Sequence, residues 1–285
     1  VAGEVVKIGA KVTKFKVGDK VLIEPGVPDD TCEYCRTGRY NICPGVDFMA
    51  TQPNYKGALT QYMTHPEEWT YHIPEGMTTM EGALVEPAAV GMHAAVLGGA
   101  QPGKSIVILG GGTIGLMVLQ ACISLGATDI TVVDVIEKRL ELAKKLGAAR
   151  VINGKEEDTV AVLRSEEMYG DHGVDLVFEA AGAVFTAQQA VQIVSRGGKI
   201  MMVGTQSKPV PIDFLKINRE VTIQTSFRYC NNFPQTIEAI SSGRFNVKDM
   251  VTNIYDYEDV QKAFEEAIDP VKKTEMVKGV IKVAE

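Results

Sequence analysis

The chain has 285 residues, of which 45% are hydrophobic, enough to bury a sizeable core in two domains or one large one. It carries 29 lysines and arginines against 36 aspartates and glutamates, a formal net charge of −7, without a dense basic run. This pattern argues against nucleic-acid and anionic-membrane partners. The sequence opens on Val1 and its first residues do not resemble a signal or transit peptide, so we expect a cytoplasmic protein.

The first 86 residues or so are rich in turn-forming and β-forming residues. Short segments of alternating character, such as Val21–Ile23 and Leu59–Met63, predict irregular β structure. A long loop is predicted from Pro25 to Lys56.

From about Gln101 the pattern changes to short apolar strands alternating with amphipathic helices. Strands are predicted near Ser105–Leu109, Ile130–Val133, Val151–Ile152, Leu176–Phe178, Ile200–Val203 and Thr222–Thr225. Helices are predicted near Thr113–Leu125, Glu137–Leu146, Thr159–Met168 and Phe185–Val194. This alternation indicates an α/β fold with a parallel, doubly wound sheet.

Two further features complete the predicted order of elements. The apolar stretch Ile106–Ala127 is about as long as a membrane-crossing helix, but glycines 110 to 112 interrupt it, which favours a buried strand, a turn and a buried helix over a membrane span. After Tyr229 the alternation stops, and two helical stretches precede a terminal strand: Phe233–Ser241, Tyr257–Ile268 and Gly279–Val283.

A glycine-rich turn lies between the first of these strands and its helix. Its sequence fits G-x-G-x-x-G with Gly110, Gly112 and Gly115, and Thr113 and Ile114 between them. Such a turn lets backbone N–H groups approach a pyrophosphate at the amino end of a helix. A packing turn rich in glycine is the alternative interpretation.

An acidic residue follows at the position that dinucleotide binding requires. Asp134 ends the second strand, nineteen residues beyond Gly115, where a carboxylate accepts hydrogen bonds from the ribose hydroxyls. Its charge would repel a 2′-phosphate, so NAD is favoured over NADP. Arg139 could stack near the adenine, pair with a phosphate, or be an exposed helix arginine.

Three of the five cysteines, Cys32, Cys35 and Cys43, lie within twelve positions of one another. With Asp29 they could supply the four ligands of a structural zinc, which would pin the loop and do no chemistry. Asp30 or Glu33 could replace Asp29, and incidental free thiols are the alternative. An odd count with one tight cluster favours a metal site in a reducing compartment over a disulfide framework.

Several blocks together resemble the zinc-dependent medium-chain alcohol dehydrogenases. They are Pro25-Gly26, Cys32 to Cys35, Gly38 to Asn41, Cys43, Gly57 to Leu59, Leu84 to Pro87 and the glycine turn. Glu86-Pro87 followed by Val90 to Ala94, and Phe227 to Asn231, resemble the sorbitol (polyol) dehydrogenases in particular. The resemblance implies a GroES-like β-rich catalytic domain and a Rossmann NAD-binding domain with a catalytic zinc between them.

The resemblance also implies domain bounds. Residues 1–92 would be the GroES-like domain with its amino-terminal part incomplete, 93–227 the Rossmann domain, and 228–285 a return to the catalytic domain. The family usually has four cysteines at the structural zinc, where this chain has Asp29 first. Val1 to Val5 resemble the residues that directly follow the family's Gly-His-Glu motif, which would place the other catalytic zinc ligands outside this chain.

Site residues follow from the same resemblance. Glu86 would face the catalytic zinc, as a ligand or through the zinc-bound water, unless it caps a helix that begins at Pro87. Phe48 would line the apolar wall of the substrate pocket, or simply pack. Arg228 and Tyr229 offer hydrogen-bond donors to a polyhydroxy substrate or to the nicotinamide side, unless they form a surface salt bridge and a buried phenol. Cofactor contacts are implied for Ile114, Asp134, Arg139, Val203, Gly204, Thr205, Phe227, Arg228 and Tyr229.

The implied function is NAD- and zinc-dependent oxidation of a secondary alcohol of a small, sorbitol-like polyol. Zinc acts in such a reaction as a Lewis acid, and hydride passes to the nicotinamide. Two alternatives stay open: a catalytically inactive dinucleotide-binding remnant, and a dehydrogenase of another secondary alcohol such as threonine or a vicinal diol. Members of the family form homo-oligomers through the edge of the Rossmann sheet, which implies the same here.

Overall fold

The computed structural model describes residues 1–51 and 56–284, and its amino-terminal part is built from short strands. Strand β2 lies between β1 and β5 in an antiparallel sheet, while β3 pairs with β4. Gly26 of β3 faces the ring of Phe48 on β4, and a Cβ at residue 26 would lie 2.9 Å from that ring. The elements are β1 (Ala2–Glu4), β2 (Lys20–Ile23), β3 (Gly26–Val27), the short helix α1 (Glu33–Arg36), β4 (Asp47–Phe48) and β5 (Thr70–His72).

The strand predicted over Leu59–Met63 is wrong. The segment forms bends, and Leu59, Tyr62 and Met63 are exposed. Alternation of side chains marks a strand only where a neighbouring strand accepts its backbone hydrogen bonds, and within residues 1–51 and 56–284 none pairs with this segment.

A helix of 20 residues, α2 (Thr79–Gly98), follows β5 and was not predicted. It begins at a capping box, in which the Thr78 hydroxyl accepts the Glu81 N–H and the Glu81 carboxylate accepts the Thr78 N–H. Pro87 therefore lies inside the helix, and the alternative in which Glu86 caps a helix starting at Pro87 is wrong. The helix also runs across the proposed domain boundary at residues 92 and 93.

The central part is a parallel sheet of six strands in the order β11-β10-β9-β6-β7-β8, with helices packed against it. This confirms the predicted doubly wound architecture. The predicted helix ending at Met168 is too long, because α5 ends at Leu163. The elements are β6 (Ser105–Leu109), α3 (Thr113–Ser124), β7 (Asp129–Asp134), α4 (Glu137–Lys145), β8 (Arg150–Asn153), α5 (Thr159–Leu163), β9 (Val174–Glu179), α6 (Val184–Ile193), β10 (Val194–Met202) and β11 (Thr222–Thr225).

The carboxyl-terminal part packs back against α2. Phe233 of helix α7 is fully buried, and its ring lies 5.5 Å from that of Tyr71 on β5. Strand β12, which was not predicted, pairs parallel with the terminal strand β13. The elements are α7 (Phe233–Ser241), β12 (Val251–Asp256), α8 (Val260–Ile268), α9 (Lys272–Glu275) and β13 (Lys278–Lys282).

One glycine, Gly91, brings helices α2 and α3 close together beside the sheet. A Cβ on Gly91 of α2 would lie 2.5 Å from the carbonyl carbon of Met117 on α3, so only glycine allows the two helices to cross this closely.

Throughout the described ranges, no helix is both long and apolar enough to cross a bilayer.

Candidate functional site

The glycine turn connects β6 to α3 at the carboxyl edge of the sheet. Gly110 has a φ of +111°, a conformation that favours glycine, and Gly112 is the N-cap of α3. A Cβ on Gly115 would collide with the carbonyl oxygen of Gly110, so a larger residue would push the helix off the turn. The amino end of α3 with Thr113 and Ile114 thus lies open to a phosphate, beside the crevice between β6 and β9 where the strand order reverses.

Asp134 ends β7 directly beside this turn. One carboxylate oxygen accepts the Gly111 N–H at 2.6 Å, and the other accepts the N–H groups of Val135 and Ile136 at 2.8 and 2.9 Å. Arg139 Nη1 lies 3.8 Å from the first oxygen. Asp134 and Arg139 thus place an acceptor for ribose hydroxyls and a potential phosphate ligand together, next to the glycine turn, at what we call the dinucleotide corner.

The carboxyl-terminal segment covers this corner. The Thr113 hydroxyl donates to the carbonyl of Val277, Arg139 Nη2 donates to the carbonyl of Lys273 at 3.3 Å, and Lys138 pairs with Glu275. Residues 273–277 therefore border the site at the amino end of α3.

The other residues implied in cofactor contact follow the neighbouring strands. Val203 and Gly204 come directly after β10, and both donate their backbone N–H to the carbonyl of Glu179 at 2.8 Å. Thr205 is exposed, as is Phe227 beyond the end of β11, with half of its surface accessible. They lie at the same edge of the sheet as the glycine turn.

Four residues predicted for the substrate side converge next to this edge. The Arg228 guanidinium lies over the Phe48 ring, 3.7 Å from its centroid, and the Tyr229 ring is 6.5 Å from that of Phe48. Glu86, in the middle of α2, lies near both Arg228 and Tyr229, and its charge acts on the pKa of each.

Burial dominates the electrostatics of this group. It lowers the pKa of Arg228 and raises the pKa of Tyr229, to which the charges of Glu86 and Glu24 add in the same direction. Arg228 Nη1 and the Tyr229 hydroxyl are buried and have no hydrogen-bond partner of good geometry among the described residues. Unsatisfied buried donors in a cleft are suited to a polar ligand.

The segment from Phe227 to Asn231 is held in a strained backbone by the turn at residues 38–41. Arg228 and Asn231 have φ of +53° and +56°, which is unusual for residues other than glycine. Asn41 donates to the carbonyl of Phe227 at 2.9 Å, and Asn231 donates to the carbonyl of Gly38 at 2.7 Å. The turn thereby fixes the direction in which Arg228 and Tyr229 project.

Behind this turn lies Glu24, which sequence reasoning missed. Its carboxylate is 1% exposed and accepts the hydroxyls of Tyr40 and Tyr71 at 2.7 and 3.0 Å, and the Tyr40 hydroxyl accepts the N–H of Asn231 at 2.8 Å. Burial raises the pKa of Glu24 to about 7, against the opposing effect of the two phenols. An acid directly after the apolar strand Val21–Ile23 was the available signal.

The cysteine cluster is formed as predicted from its spacing. The ligand atoms of Asp29, Cys32, Cys35 and Cys43 all lie within 4.8 Å of one another, with the Cys32 and Cys35 sulfurs 3.4 Å apart. Asp29, and not Asp30 or Glu33, completes the group. A carboxylate and three thiols at these separations fit a tetrahedral zinc ion.

The sequence matches the family described as alcohol dehydrogenase GroES-like domain over residues 1–75, and that described as zinc-binding dehydrogenase over residues 113–242. It is 42% identical to sorbitol dehydrogenase of Bacillus subtilis over 270 residues, 94% of this chain and 75% of that protein.

Two solved structures are closely similar. One is an oxidoreductase/dehydrogenase of unknown specificity involved in membrane biogenesis from Escherichia coli, with 63% identity, a TM-score of 0.97 and coverage of 100% of this chain and 81% of that chain. The other is 2R,3R-butanediol dehydrogenase of Bacillus subtilis, with 29% identity, a TM-score of 0.88 and coverage of 99% and 78%.

Proposed function

The chain belongs to the zinc-dependent alcohol dehydrogenases, a family of oxidoreductases, and on that basis we propose that it oxidises a secondary alcohol of a sorbitol-like polyol to the ketose. NAD, when bound, would supply the hydride acceptor: the carbon-bound hydrogen would leave as hydride and the hydroxyl hydrogen as a proton, which would give ketose and NADH. The observation that carries the proposal is the convergence of Glu86, Arg228, Tyr229 and Phe48 next to the carboxyl edge of the parallel sheet, the same edge that carries the dinucleotide turn.

Two buried donors without a partner among the described residues, Arg228 Nη1 and the Tyr229 hydroxyl, support a substrate with several hydroxyl groups. Arg228 Nη1 and the Tyr229 hydroxyl would donate to successive hydroxyls of an extended polyol, while the Phe48 ring covers its C–H face. Since burial raises the pKa of Tyr229, its hydroxyl stays a donor throughout the physiological pH range. A substrate without hydroxyls would leave both buried donors unpaired, which costs binding energy.

The cofactor proposal concerns the corner of Asp134 and Arg139. A carboxylate that accepts ribose hydroxyls and repels a 2′-phosphate supports NAD. Arg139 lies against that carboxylate, where its charge is engaged by Asp134 rather than free for a phosphate.

Zinc enters the proposal at two places. The group Asp29, Cys32, Cys35 and Cys43 fits a structural ion, which would cross-link the loop that contains the turn at residues 38–41. In the family a catalytic zinc lowers the pKa of the bound hydroxyl, and Glu86 would face it. Within the described ranges no second group of three or more metal-binding side chains surrounds Glu86, so these residues alone do not complete that site.

The test uses the zinc-loaded protein as expressed from its own gene, with NAD or NADP and a panel of alcohols. We expect turnover of sorbitol or xylitol with NAD, with kcat/KM for NAD at least tenfold above that for NADP. Turnover of threonine alone, or comparable use of NADP, would contradict the proposal.

Two alternatives are distinguished by the same panel. Similarity to 2R,3R-butanediol dehydrogenase supports a vicinal diol as the second candidate, and exclusive turnover of 2,3-butanediol would favour it. Dinucleotide binding without turnover of any alcohol would favour an inactive remnant.

A further inference from the structure

Glu179 is a fully buried carboxylate at the carboxyl end of β9, in the middle of the sheet. One of its oxygens accepts the N–H groups of Ala181 and Gly182 at 3.0 and 2.9 Å and the Thr186 hydroxyl at 2.7 Å. The other accepts the side-chain amide of Gln206 at 2.6 Å. In the described part of the chain no cation pairs with it, so these four donors alone solvate the carboxylate.

The donors belong to two loops that lie next to the dinucleotide turn. Ala181 and Gly182 follow β9, and a Cβ on Gly110 would lie 2.8 Å from the Ala181 nitrogen. Gln206 directly follows Val203 to Thr205 after β10, and a Cβ on Gly182 would lie 2.7 Å from the Thr205 carbonyl oxygen. The turn after β6 and the loops after β9 and β10 are therefore packed backbone to backbone above this one side chain.

We propose that Glu179 is a positioning residue for dinucleotide binding, which holds the loops after β9 and β10 at the spacing that the turn at Gly110 and the cofactor require. This inference deepens the proposed function and rests on it, since it concerns the same cofactor site. The Gln206 Oε1 atom is buried without a partner among the described residues, so the bond to Glu179 is the contact that orients this amide.

The two oxygens of Glu179 have separable roles, which makes the proposal testable. In Gln206→Glu the new carboxylate would face the second oxygen of Glu179, acceptor against acceptor and with like charges, while the first oxygen still accepts from Ala181, Gly182 and Thr186. In the double variant Glu179→Gln/Gln206→Glu the amide at 179 donates to the carboxylate at 206, so the pair is restored with its polarity reversed.

The experiment measures the dissociation constants of NAD and NADH by intrinsic fluorescence or calorimetry, together with Tm, for the full chain. We expect Q206E to weaken dinucleotide binding at least tenfold and the double variant to return to within about threefold of the parent. Asp175→Asn is the matched control, because Asp175 lies at the amino end of the same strand, far from the dinucleotide turn. There its carboxylate accepts hydrogen bonds from the N–H and the hydroxyl of Ser105. Its dinucleotide affinity should equal that of the parent.

Every result of this experiment either supports or overturns the proposed role of Glu179. Unchanged affinity in Q206E, or equal weakening in the single and double variants, would overturn the inference and leave the proposed function intact. Should Q206E fail to fold, the double variant decides alone: parental affinity supports the inference, and a folded double variant with tenfold weaker binding overturns it, as does one that also fails to fold. A parent chain that binds no dinucleotide would overturn the proposed function and this inference together.

Discussion

Among the residues that the structure describes, the buried Tyr229 hydroxyl has no hydrogen-bond partner of good geometry, so its effect on activity can be separated from its effect on stability. In Tyr229→Phe we expect the KM for polyol to rise roughly tenfold, from the loss of one hydrogen bond to substrate. The free energy of unfolding should stay equal or rise by about 1 kcal/mol, because an unsatisfied polar group is removed. Kinetics and urea unfolding measure both. Tyr255→Phe, which removes a hydroxyl bonded to Glu266, is the control that should leave KM unchanged.

Asp134 and Arg139 predict how cofactor choice can be reversed. In Asp134→Asn the repulsion of a 2′-phosphate disappears and the Arg139 guanidinium is released from its ion pair. We expect the ratio of kcat/KM for NADP to that for NAD to rise at least tenfold. Adding Arg139→Ala should abolish the gain, and a gain that survives this second change would show that Arg139 is not the phosphate ligand.

At the scale of elements, the loop that carries Cys32, Cys35 and Cys43 is coupled to the segment Phe227–Asn231. The turn at residues 38–41 lies inside that loop and is hydrogen-bonded to the segment. Removing zinc with a chelator should therefore raise amide hydrogen exchange in residues 38–41 and also in 227–231. Mass spectrometry of exchanged peptides measures this.

Two variants make that prediction specific. Cys43→Ser should reproduce the effect of the chelator and lower the zinc content, whereas Cys122→Ala, outside the cluster, should not. Exchange that increases in the loop alone would contradict the coupling.

The elements that sequence reasoning predicted best are the short apolar strands and the helices that alternate with them. The central strands β6, β7 and β9 are rich in β-branched residues and are buried on both faces, and the glycine turn separates the first of them from its helix. Helix α2 was missed because Ala, Gly and Val cover it on nearly all sides, which removes the amphipathic signal. The Thr78 and Glu81 pair was the readable clue to its start.

The candidate site was predictable only in part. The zinc cluster and the dinucleotide corner are local in sequence, since their residues lie within about 30 positions. The bonds from Asn41 to Phe227 and from Asn231 to Gly38 join segments 186 and 193 positions apart, and no spacing rule reports them. Such contacts depend on tertiary packing, which cannot be deduced from the hydrophobic periodicity of a single segment.

At the scale of the whole molecule, Glu24 makes stability depend on pH. Its pKa is raised to about 7, so between pH 4.5 and 7 the folded state keeps a proton that the unfolded state releases. The free energy of unfolding should therefore fall as pH rises through this window, by on the order of 3 kcal/mol from this residue. Glu24→Gln should remove that slope and be more stable than the parent above pH 7. Urea unfolding from pH 4.5 to 8 tests this, with exposed Glu75→Gln as the control that keeps the slope.

The outer edge of strand β11 is a candidate surface for the formation of a homo-oligomer. Among the described strands it pairs only with β10, so its outer side offers unpaired backbone groups to a second sheet. We expect a homo-oligomer, and light scattering should give a multiple of 30.8 kDa. A mass of one chain at micromolar concentration would contradict this.

The close crossing at Gly91 limits how the cleft between the two parts can open. Glu86 stands five residues before Gly91 on the same rigid helix, about 7.5 Å along its axis, and Met117 on the other side of the crossing belongs to the helix that begins at the dinucleotide turn. No sliding is possible where backbones touch. Glu86 therefore keeps a fixed position relative to the amino end of α3, where the dinucleotide turn lies.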